Sequence, residues 1–440
     1  MDKTNASISD GNGNLILFTG GVALYNSQGD IIQNGDSINY GYTWETWISL
    51  PGAYGAINGA LFIPSISNEN YYNLFHLRGD SIQGGGGSGS SFGDGLFYSS
   101  INVNDSVEKK NVAIILDTLP NTGLAACRNG NGRDWWLITN EGGSNCYYLI
   151  NYNSETLELQ NKQCIGSKSA YMESGQTLFS PDGSLFIRGS TIDGVEIFDF
   201  DRCSGLLSNA RQIPLSEFGL HPTNEFIGAV SISPNNRFLY ATTTGRVYQF
   251  DLESTNLLAS KVLIHNRDTA AFIDYVFVTN QIAPDGSIFI SGGPGPQIHR
   301  IANPDELGIA CGLEIKILLP HEGSFGLPNF PNYRLGPLTG SPCDTLGVGI
   351  RELGTQIELL VYPNPAHNYV EVDYGFFPWQ SKSEASLSVK NMLGEEVLFL
   401  KLPQYSAKQI LNIKDLGTGV YFINLMDGGV VVGSEKLLIR

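Results

Sequence analysis

A unit of about fifty residues repeats along this chain and restricts what it can fold into. Segment 179–187 (FSPDGSLFI) recurs at 232–240 (ISPNNRFLY) and at 282–290 (IAPDGSIFI). The prolines Pro181, Pro234 and Pro284 are therefore 53 and 50 residues apart. In each copy a strand ends, a Pro-Asp-Gly or Pro-Asn-Asn turn follows, and a second apolar strand begins. This period, with about four short strands per unit, predicts a β-propeller, whose sheets bury their faces against neighbouring sheets.

A second element keeps the same register and extends the count of units. Segment 195–201 (VEIFDFD) matches 247–251 and 298–301, and weaker copies of the unit lie at 134–152, 95–116, 60–77 and 10–25. These repeats make six units, and a further stretch near Asn329–Leu335 is left over after the last of them. The number of units predicts a six- or seven-bladed β-propeller over residues 1–335. The first unit starts at its turn, so we expect an incomplete first blade. Either a C-terminal strand closes the ring or the beginning of the chain is missing.

The charge balance limits the kinds of partner. The chain of 440 residues has 26 Lys and Arg against 43 Asp and Glu, a net charge of −17. Nucleic acid and anionic membranes both require a basic surface, so neither is expected as a partner. No run of 18 apolar residues predicts a transmembrane segment. The first residues lack the apolar stretch of a secretory signal, so a signal peptide is missing from this chain.

The composition changes after residue 335. A Gly-, Pro- and Ser-rich stretch opens a predicted linker at 336–355, and a new series of strands starts near Gln356. Seven alternating runs follow, at 357–362, 369–374, 385–390, 397–401, 409–413, 420–425 and 430–439. They predict a small Ig-like β-sandwich over 356–440. The fold class is thus all-β, a propeller followed by a sandwich.

Four motifs stand in order in this last segment: 362–366 (YPNPA), 391–397 (NMLGEEV), 416–421 (LGTGVY) and 436–440 (KLLIR). Together they resemble the type A C-terminal sorting domain of the type IX secretion system, found in the Bacteroidota. The resemblance implies a secreted or outer-membrane surface-attached protein whose tail is read by the type IX translocon. It implies that the sorting motif consists of Pro363, Asn364, Pro365, Gly394, Gly419, Tyr421 and Lys436. Segments 6–15, 131–136, 180–183 and 328–336 are similar to secreted propellers with such a tail, a group without a settled activity.

The same motifs also have a purely structural interpretation. Pro363 and Pro365 predict an extended stretch that offers no amide donors to a sheet. Gly394 and Gly419 predict turns, where a positive φ costs glycine least. Lys436 falls on the predicted last strand of the sandwich.

Residues with metal or redox chemistry give weak signals. Asp10, Asn12 and Asn14 have the alternate spacing of a calcium loop, but Leu15 replaces its glycine and Gly21 its final glutamate. A hairpin turn explains this run equally well, so we expect no cofactor, with calcium as the weak alternative. The six cysteines form no CxxC pair. They fit either disulfides, with 15 possible pairings, or separate buried thiols.

Aromatic residues crowd the stretch 40–54. Exposed rings there predict ligand binding, with Trp44, Trp47 and Tyr54 as candidates. Alternatively, the alternation of Tyr40, Tyr42 and Trp44 places them on one face of a buried strand.

Two functions fit these observations. The first is a ligand-binding or adhesion module for an extracellular glycan or protein, delivered by the tail. The second is a hydrolase or lyase that acts on a carbohydrate or lactone in the central channel. No acid/base pair stands out, which favours the non-enzymatic function. Carboxylates or histidines at the channel would favour the enzyme, whereas aromatic and amide groups would favour binding.

Overall fold

A computed structural model defines two compact units, Met1–Thr345 and Leu346–Arg440. It describes residues 4–41, 44–45, 56–68, 70–81, 91–102, 106–120, 122–153, 157–169, 175–219, 227–267, 276–292, 295–323, 326–344, 359–374, 385–392, 394–402, 408–427 and 430–440. Within these residues no helix is both long and apolar enough to cross a membrane. Strands dominate both units, as the repeat and the alternating runs predict.

The described residues of the first unit form six antiparallel sheets, in each of which consecutive strands are neighbours. We call these sheets blades 1 to 6. Blades 1 to 3 consist of β1 Ala6–Ser9, β2 Leu15–Thr19 and β3 Leu24–Asn26; β4 Ala60–Pro64, β5 Tyr71–Ser81, β6 Ser91–Asn102 and β7 Ser106–Ile115; β8 Ala125–Arg128, β9 Trp135–Asn140, β10 Cys146–Tyr152 and β11 Leu157–Cys164. Blades 4 to 6 consist of β12 Thr177–Phe179, β13 Leu185–Ser190, β14 Gly194–Phe200 and β15 Leu207–Pro214; β16 Ile227–Ile232, β17 Phe238–Thr243, β18 Arg246–Asp251 and β19 Val262–Asn266; β20 Asn280–Ile282, β21 Ile288–Ser291, β22 Gly295–Ile301 and β23 Leu313–Gly323. Short 3₁₀ helices lie at Leu215–Phe218, Leu258–Ser260 and Gly308–Cys311.

The repeated turn at Pro181, Pro234 and Pro284 joins the first two strands of blades 4, 5 and 6, as the sequence predicts. In blade 1 the residues before the turn, Ala6–Ser9, form a first strand, for which the sequence analysis expected almost no residues.

Apolar side chains fill the seams between neighbouring blades. Separate clusters join blades 1 and 2, 2 and 3, 3 and 4, 4 and 5, and 5 and 6. At the seam of blades 3 and 4, the ring of Tyr147 meets Phe186 and Phe198 edge-on, with centroids 5.7 and 5.4 Å apart. Each side chain of this size contributes about 1.5–3 kcal/mol when fully buried. The blades therefore stabilise one another, as a repeat whose units cannot bury their own faces requires.

One charged pair is buried at this same seam. Arg188 and Glu196, on adjacent strands of blade 4, are only 2% and 4% exposed, and Arg188 Nη2 lies 2.6 Å from Glu196 Oε2. Across the seam, the backbone N–H of Ser167 donates to Glu196 Oε1 at 2.6 Å, and the Tyr147 hydroxyl donates to Oε2 at 3.4 Å. Glu196 is thus held by both blades.

After blade 6 the chain runs through the centre of the propeller. We call residues 326–336 the axial segment. Its backbone and side chains contact the first strands, or the residues next to them, of blades 1, 2, 3, 4 and 6; these partners are Asn5, Ala60, Phe62, Leu124, Arg128, Pro181 and Thr279. The seam between blades 6 and 1 is bridged here, because the Leu327 N–H donates to Thr279 Oγ1 and Asn5 Nδ2 donates to the Gly326 carbonyl. Chain following blade 6 therefore takes part in closing the ring.

Asn329 is the centre of the axial segment. Its buried side-chain amide donates to the carbonyls of Ala60 (3.0 Å) and Leu124 (3.1 Å), and its Oδ1 accepts from Asn58 Nδ2 at 3.0 Å. Its backbone N–H donates to the Asn5 carbonyl at 2.8 Å. One side chain thus satisfies polar groups of blades 2 and 3 that face away from their own sheets.

Residues 336–344, which the composition assigns to the linker, are held on the first unit. Arg202 of blade 4 donates to the Gly336 carbonyl, and the Leu338 N–H donates to the Gly130 carbonyl at 2.8 Å. A disulfide joins Cys203 to Cys343. A covalent bond therefore ties the end of this stretch to blade 4.

The remaining cysteines divide into a second disulfide and two thiols. Cys146 and Cys164 form a cross-strand disulfide in blade 3. Cys127 and Cys311 are buried thiols, and burial raises the pKa of Cys127 to about 12. Both sequence alternatives are thus realised in one chain, disulfides for four cysteines and buried thiols for two.

The described residues of the second unit form a β-sandwich of seven strands. One sheet has the order β24–β25–β28, and the other β27–β26–β29–β30. The strands are β24 Leu360–Tyr362, β25 Tyr369–Asp373, β26 Ser386–Asn391, β27 Glu396–Lys401, β28 Lys408–Asn412, β29 Gly419–Asp427 and β30 Val430–Ile439. Val370, Val372 and Leu411 of the first sheet pack against Val389 and Ile423 of the second. All seven predicted strands form.

Candidate functional site

The proposed calcium residues lie in the turn between β1 and β2. Asp10 Oδ1 accepts the backbone N–H groups of Asn12 (2.9 Å) and Asn14 (2.8 Å), and Oδ2 accepts from Asn14 Nδ2 at 2.9 Å. The hydrogen bond from the Asn14 side chain is the main reason that the pKa of Asp10 is lowered. Both carboxylate oxygens are thus used by the turn itself, which supports the hairpin alternative.

The same side-chain cap recurs in every blade. In each turn between the first and second strands, an Asp or Asn oxygen accepts the backbone N–H two residues later. The six residues are Asp10, Asn68, Asn129, Asp182, Asn235 and Asp285. This motif is an Asx turn, which replaces a backbone hydrogen bond by a side-chain one. The spacing of Asp10, Asn12 and Asn14 in the sequence is therefore explained by a turn that every blade repeats.

Of the candidate aromatic residues, the structure describes Trp44, while Trp47 and Tyr54 lie outside the described residues. Trp44 Nε1 donates to the Val22 carbonyl at 3.0 Å, and its ring contacts Tyr40 with centroids 5.3 Å apart. Tyr40 is 53% exposed, and neither it nor Trp44 lies in a strand, so the buried-strand alternative does not hold for these two residues. An aromatic pair is therefore presented at the surface of blade 1.

Charged groups of blade 2 lie beside this pair. A Cβ atom placed on Gly41 would be 3.9 Å from Arg78 Cδ, so the loop that carries Tyr40 passes over this arginine. Arg78 binds Asp94 through Nε (2.9 and 3.0 Å) and Nη2 (2.6 Å), and its guanidinium lies 4.3 Å above the Phe97 ring. We call Tyr40, Trp44, Arg78 and Asp94 the rim site. It combines an exposed ring with fixed polar groups, the combination that recognises sugars or peptide side chains.

A buried histidine supports the rim site from below. Asn39, which precedes Tyr40, has a left-handed backbone (φ 60°), and its Oδ1 lies 2.6 Å from His76 Nδ1. The other ring nitrogen, Nε2, is 3.1 Å from the Ser99 hydroxyl. Burial, assisted by nearby Arg78, lowers the pKa of His76 to about 3. The fold thus requires the neutral imidazole.

Acidification should therefore destabilise the propeller through His76. Its pKa in the folded state lies below the unfolded value of about 6.5, so stability is complete above pH 6.5 and is lost as the pH falls towards 3. Between pH 7.5 and 4.5 we expect a loss of about 2–3 kcal/mol in unfolding free energy from this residue. This loss is measured by urea unfolding of the wild type and of His76→Gln at both pH values. The glutamine amide still offers a donor and an acceptor in place of the imidazole. An equal pH dependence in both proteins would show that His76 is not responsible.

Of the predicted sorting residues, Pro363, Asn364, Pro365 and Gly394 lie in exposed loops of the second unit, whereas Gly419, Tyr421 and Lys436 lie on β29 and β30. Gly394 has φ 81° and lies in the turn from Asn391 to Glu395, as expected. Gly419 differs from the prediction, because it begins β29, pairs with Ile439 and has no positive φ. A Cβ there would lie 3.6 Å from the Tyr421 ring, an ordinary contact. The turn before it is instead fixed by the Tyr421 hydroxyl, which donates to the Gly417 carbonyl at 2.9 Å.

The first and last motifs of the second unit, about seventy residues apart in sequence, meet in the structure. Pro363, Asn364 and Pro365 connect β24 to β25, and Lys436 lies on β30. Asn364 Nδ2 donates to the Lys436 carbonyl at 2.6 Å. The peptide bonds before both prolines are cis.

Comparison with known families agrees with the resemblance of this unit to a sorting domain. Residues 360–440 match the family described as secretion system C-terminal sorting domain. The second unit therefore carries a sorting domain of the type IX system. A protein with such a tail is secreted or attached to the cell surface. No curated protein sequence matches the chain.

Solved structures resemble the chain only distantly. A putative 6-phosphogluconolactonase from Bacteroides uniformis is 14% identical and covers 93% of this chain and 100% of its own, with a TM-score of 0.38. The extracellular domain of a putative one-component system from B. thetaiotaomicron is 11% identical over 99% of this chain, with a TM-score of 0.35, and this chain spans 50% of its length. The Cps50 (Swd1) β-propeller domain of Myceliophteria thermophila is 11% identical, covering 79% of this chain and 90% of its own, with a TM-score of 0.34. At these TM-scores the propeller assignment depends on the blades and their contacts.

Proposed function

We propose that this chain is an exported protein of a member of the Bacteroidota, in which the type IX translocon recognises the second unit and the propeller binds an extracellular glycan or protein. The observation that carries the proposal is the sandwich of seven strands that the described residues form over the range that matches a sorting domain. The propeller supplies the part of the protein that acts after export. The final location is the cell surface or the medium.

The rim site supports a binding role for the propeller. Tyr40 exposes half of its side chain, while Trp44 and the Arg78–Asp94 pair are fixed by hydrogen bonds. A ligand therefore meets groups that are already in place, which lowers the entropy lost on binding. By contrast, the axial segment fills the centre of the propeller, so a substrate in a central channel would have to displace Asn329 and its neighbours.

Removal of residues 360–440 tests the export role. The chain is expressed behind a secretory signal peptide in a bacterium that has a type IX system. We expect the shortened protein to remain in the periplasm, because it has lost the surface that the translocon recognises. Cell fractionation and cleavage by protease added to intact cells measure delivery. The full chain is the control, and equal surface delivery of the two proteins would contradict the export role.

Replacement of Tyr40 by alanine tests the rim site. The full chain is applied to an array of glycans and extracellular matrix proteins. For ligands that the wild type retains, loss of one stacking ring should weaken binding about tenfold. Ile192→Ala is the matched control, because Ile192 is 49% exposed on blade 4, which neighbours neither blade 1 nor blade 2. No retention of the wild type, or equal losses in both variants, would refute the binding role of this site.

A further inference from the structure

The side chain of Asn364 joins two distant parts of the sorting domain. Its Nδ2 donates to the Lys436 carbonyl at 2.6 Å, and its Oδ1 accepts the Leu438 N–H at 2.9 Å. These two groups flank Leu437 on β30. The asparagine amide therefore takes the place that the peptide group of a neighbouring strand would take in a sheet.

Backbone pairing continues this junction for two more residues. The Ala366 N–H donates to the Leu438 carbonyl at 2.8 Å, and the Arg440 N–H donates to the Ala366 carbonyl at 3.0 Å. Ala366 and Ile439 form a parallel bridge, and both side chains are buried. His367 Nδ1 lies 2.8 Å from the Arg440 carbonyl oxygen. We call the contact between residues 363–367 and 436–440 the junction.

The junction lies where the loop between β24 and β25 meets the edge of the other sheet. β30 is an edge strand of the four-stranded sheet, and the connection from β24 to β25 belongs to the other sheet. The loop satisfies part of the free edge of β30, which would otherwise be open to pairing with another chain. Pro363 and Pro365 fit such a loop, because neither residue has an N–H group that needs a partner.

The junction brings exposed side chains of both motifs together. Pro363, Pro365, Lys436 and Arg440 are all exposed, although their side chains come from the two ends of the domain. Asn364 itself is exposed, so its pair of hydrogen bonds contributes little to the stability of the sandwich and does not hold it together. The apolar core around Leu437 and Ile439 does that.

We propose that the export signal is this composite surface and not the linear run at 363–365, and that Asn364 is the positioning residue that assembles it. This inference depends on the proposed export role of the second unit. The surface presents two proline rings beside two cations. It fits a translocon component that offers an apolar slot flanked by carboxylates.

Three changes in the full chain test the inference in the same host. Asn364→Ala removes both side-chain hydrogen bonds of the junction, and Lys436→Ala removes an exposed cation while its backbone carbonyl still accepts from Asn364. Asn368→Ala, in the same connection and also exposed, is the matched control. We expect at least a tenfold loss of protease-accessible protein on intact cells for the first two variants and no loss for the control.

Folding is measured separately, by the resistance of the second unit to protease in the purified full-length variants. Loss of delivery by a protein whose second unit stays resistant supports a composite signal. If Asn364→Ala makes the unit sensitive to protease, Lys436→Ala decides, because it leaves the junction intact. Normal delivery of Lys436→Ala, or of a folded Asn364→Ala, overturns the inference. If deletion of 360–440 also leaves delivery normal, the export role itself is wrong.

Discussion

Replacing Glu196 by alanine should reduce the unfolding free energy of the propeller by about 3–5 kcal/mol, because it removes the 2.6 Å partner of the buried Arg188 guanidinium. Asp193 remains 3.8 Å from that guanidinium, at a partly exposed position, and compensates only weakly. The Ser167 N–H and the Tyr147 hydroxyl across the seam also lose their acceptor. Urea unfolding followed by tryptophan emission measures the effect.

An exposed ion pair of the same blade provides the control. Arg211 and Asp199 are 2.8 Å apart, but about a third or more of each side chain is exposed, so Asp199→Ala should cost less than about 1 kcal/mol. The double change Arg188→Met and Glu196→Leu should recover much of the loss, since it buries no charge. Similar losses for Glu196→Ala and Asp199→Ala would show that burial of the pair is unimportant.

Replacing Asn329 by alanine should cost about 2–4 kcal/mol, because the carbonyls of Ala60 and Leu124 lose a buried donor and Asn58 loses an acceptor. The change affects the residues that fill the centre of the ring, so blades 2 and 3 should loosen together. Hydrogen exchange of the first strands of these blades, together with urea unfolding, measures the result.

Asn332 is the matched control for Asn329. It belongs to the same axial segment but is exposed; its side chain donates to the Pro181 carbonyl at 2.8 Å and accepts the Arg334 N–H at 3.1 Å, both in the reach of water. Asn332→Ala should therefore cost less than about 1 kcal/mol. If the two variants are equally stable, the axial segment does not brace the ring.

The elements that the sequence predicts well are those whose cause is local. The turn after Phe179 and its copies combine a proline, an Asp or Asn cap and a following apolar run within nine residues. The strands of the sandwich likewise show their alternation within five to ten residues. In both cases the alternation of apolar and polar residues that buries one face of a strand lies within one short stretch of sequence.

Contacts between distant residues were not predictable in this way. Asn329 binds Ala60 and Leu124, which are 269 and 205 positions away, and nothing near Asn329 indicates those partners. From the sequence, residues 329–335 stand out only as a stretch that follows the last repeat. The Arg188–Glu196 pair was also missed, although a charged residue within the apolar run 185–190 was a signal that a buried partner existed.

Two sequence patterns do not by themselves determine the local backbone geometry. The spacing of Asp10, Asn12 and Asn14 suits a cation, but the same residues also suit an Asx turn, and the repetition of this turn in all blades supports the second. Glycine at 419 predicts a turn, whereas in the structure Gly419 begins a strand without a positive φ. In both cases the structure could be decided only from the backbone conformation, which residue type alone does not determine.

The disulfide between Cys203 and Cys343 determines where mechanical force enters the propeller. If the protein is attached to the cell surface through its tail, drag by flow or by a bound particle puts tension on the residues beyond 345. That tension reaches Cys343 first and passes through the sulfur–sulfur bond into the turn after β14. The hydrogen bonds of Asn329, which lie further along the chain towards its start, carry none of the load. Tension on the tail would therefore enter blade 4 without drawing the axial segment out of the ring.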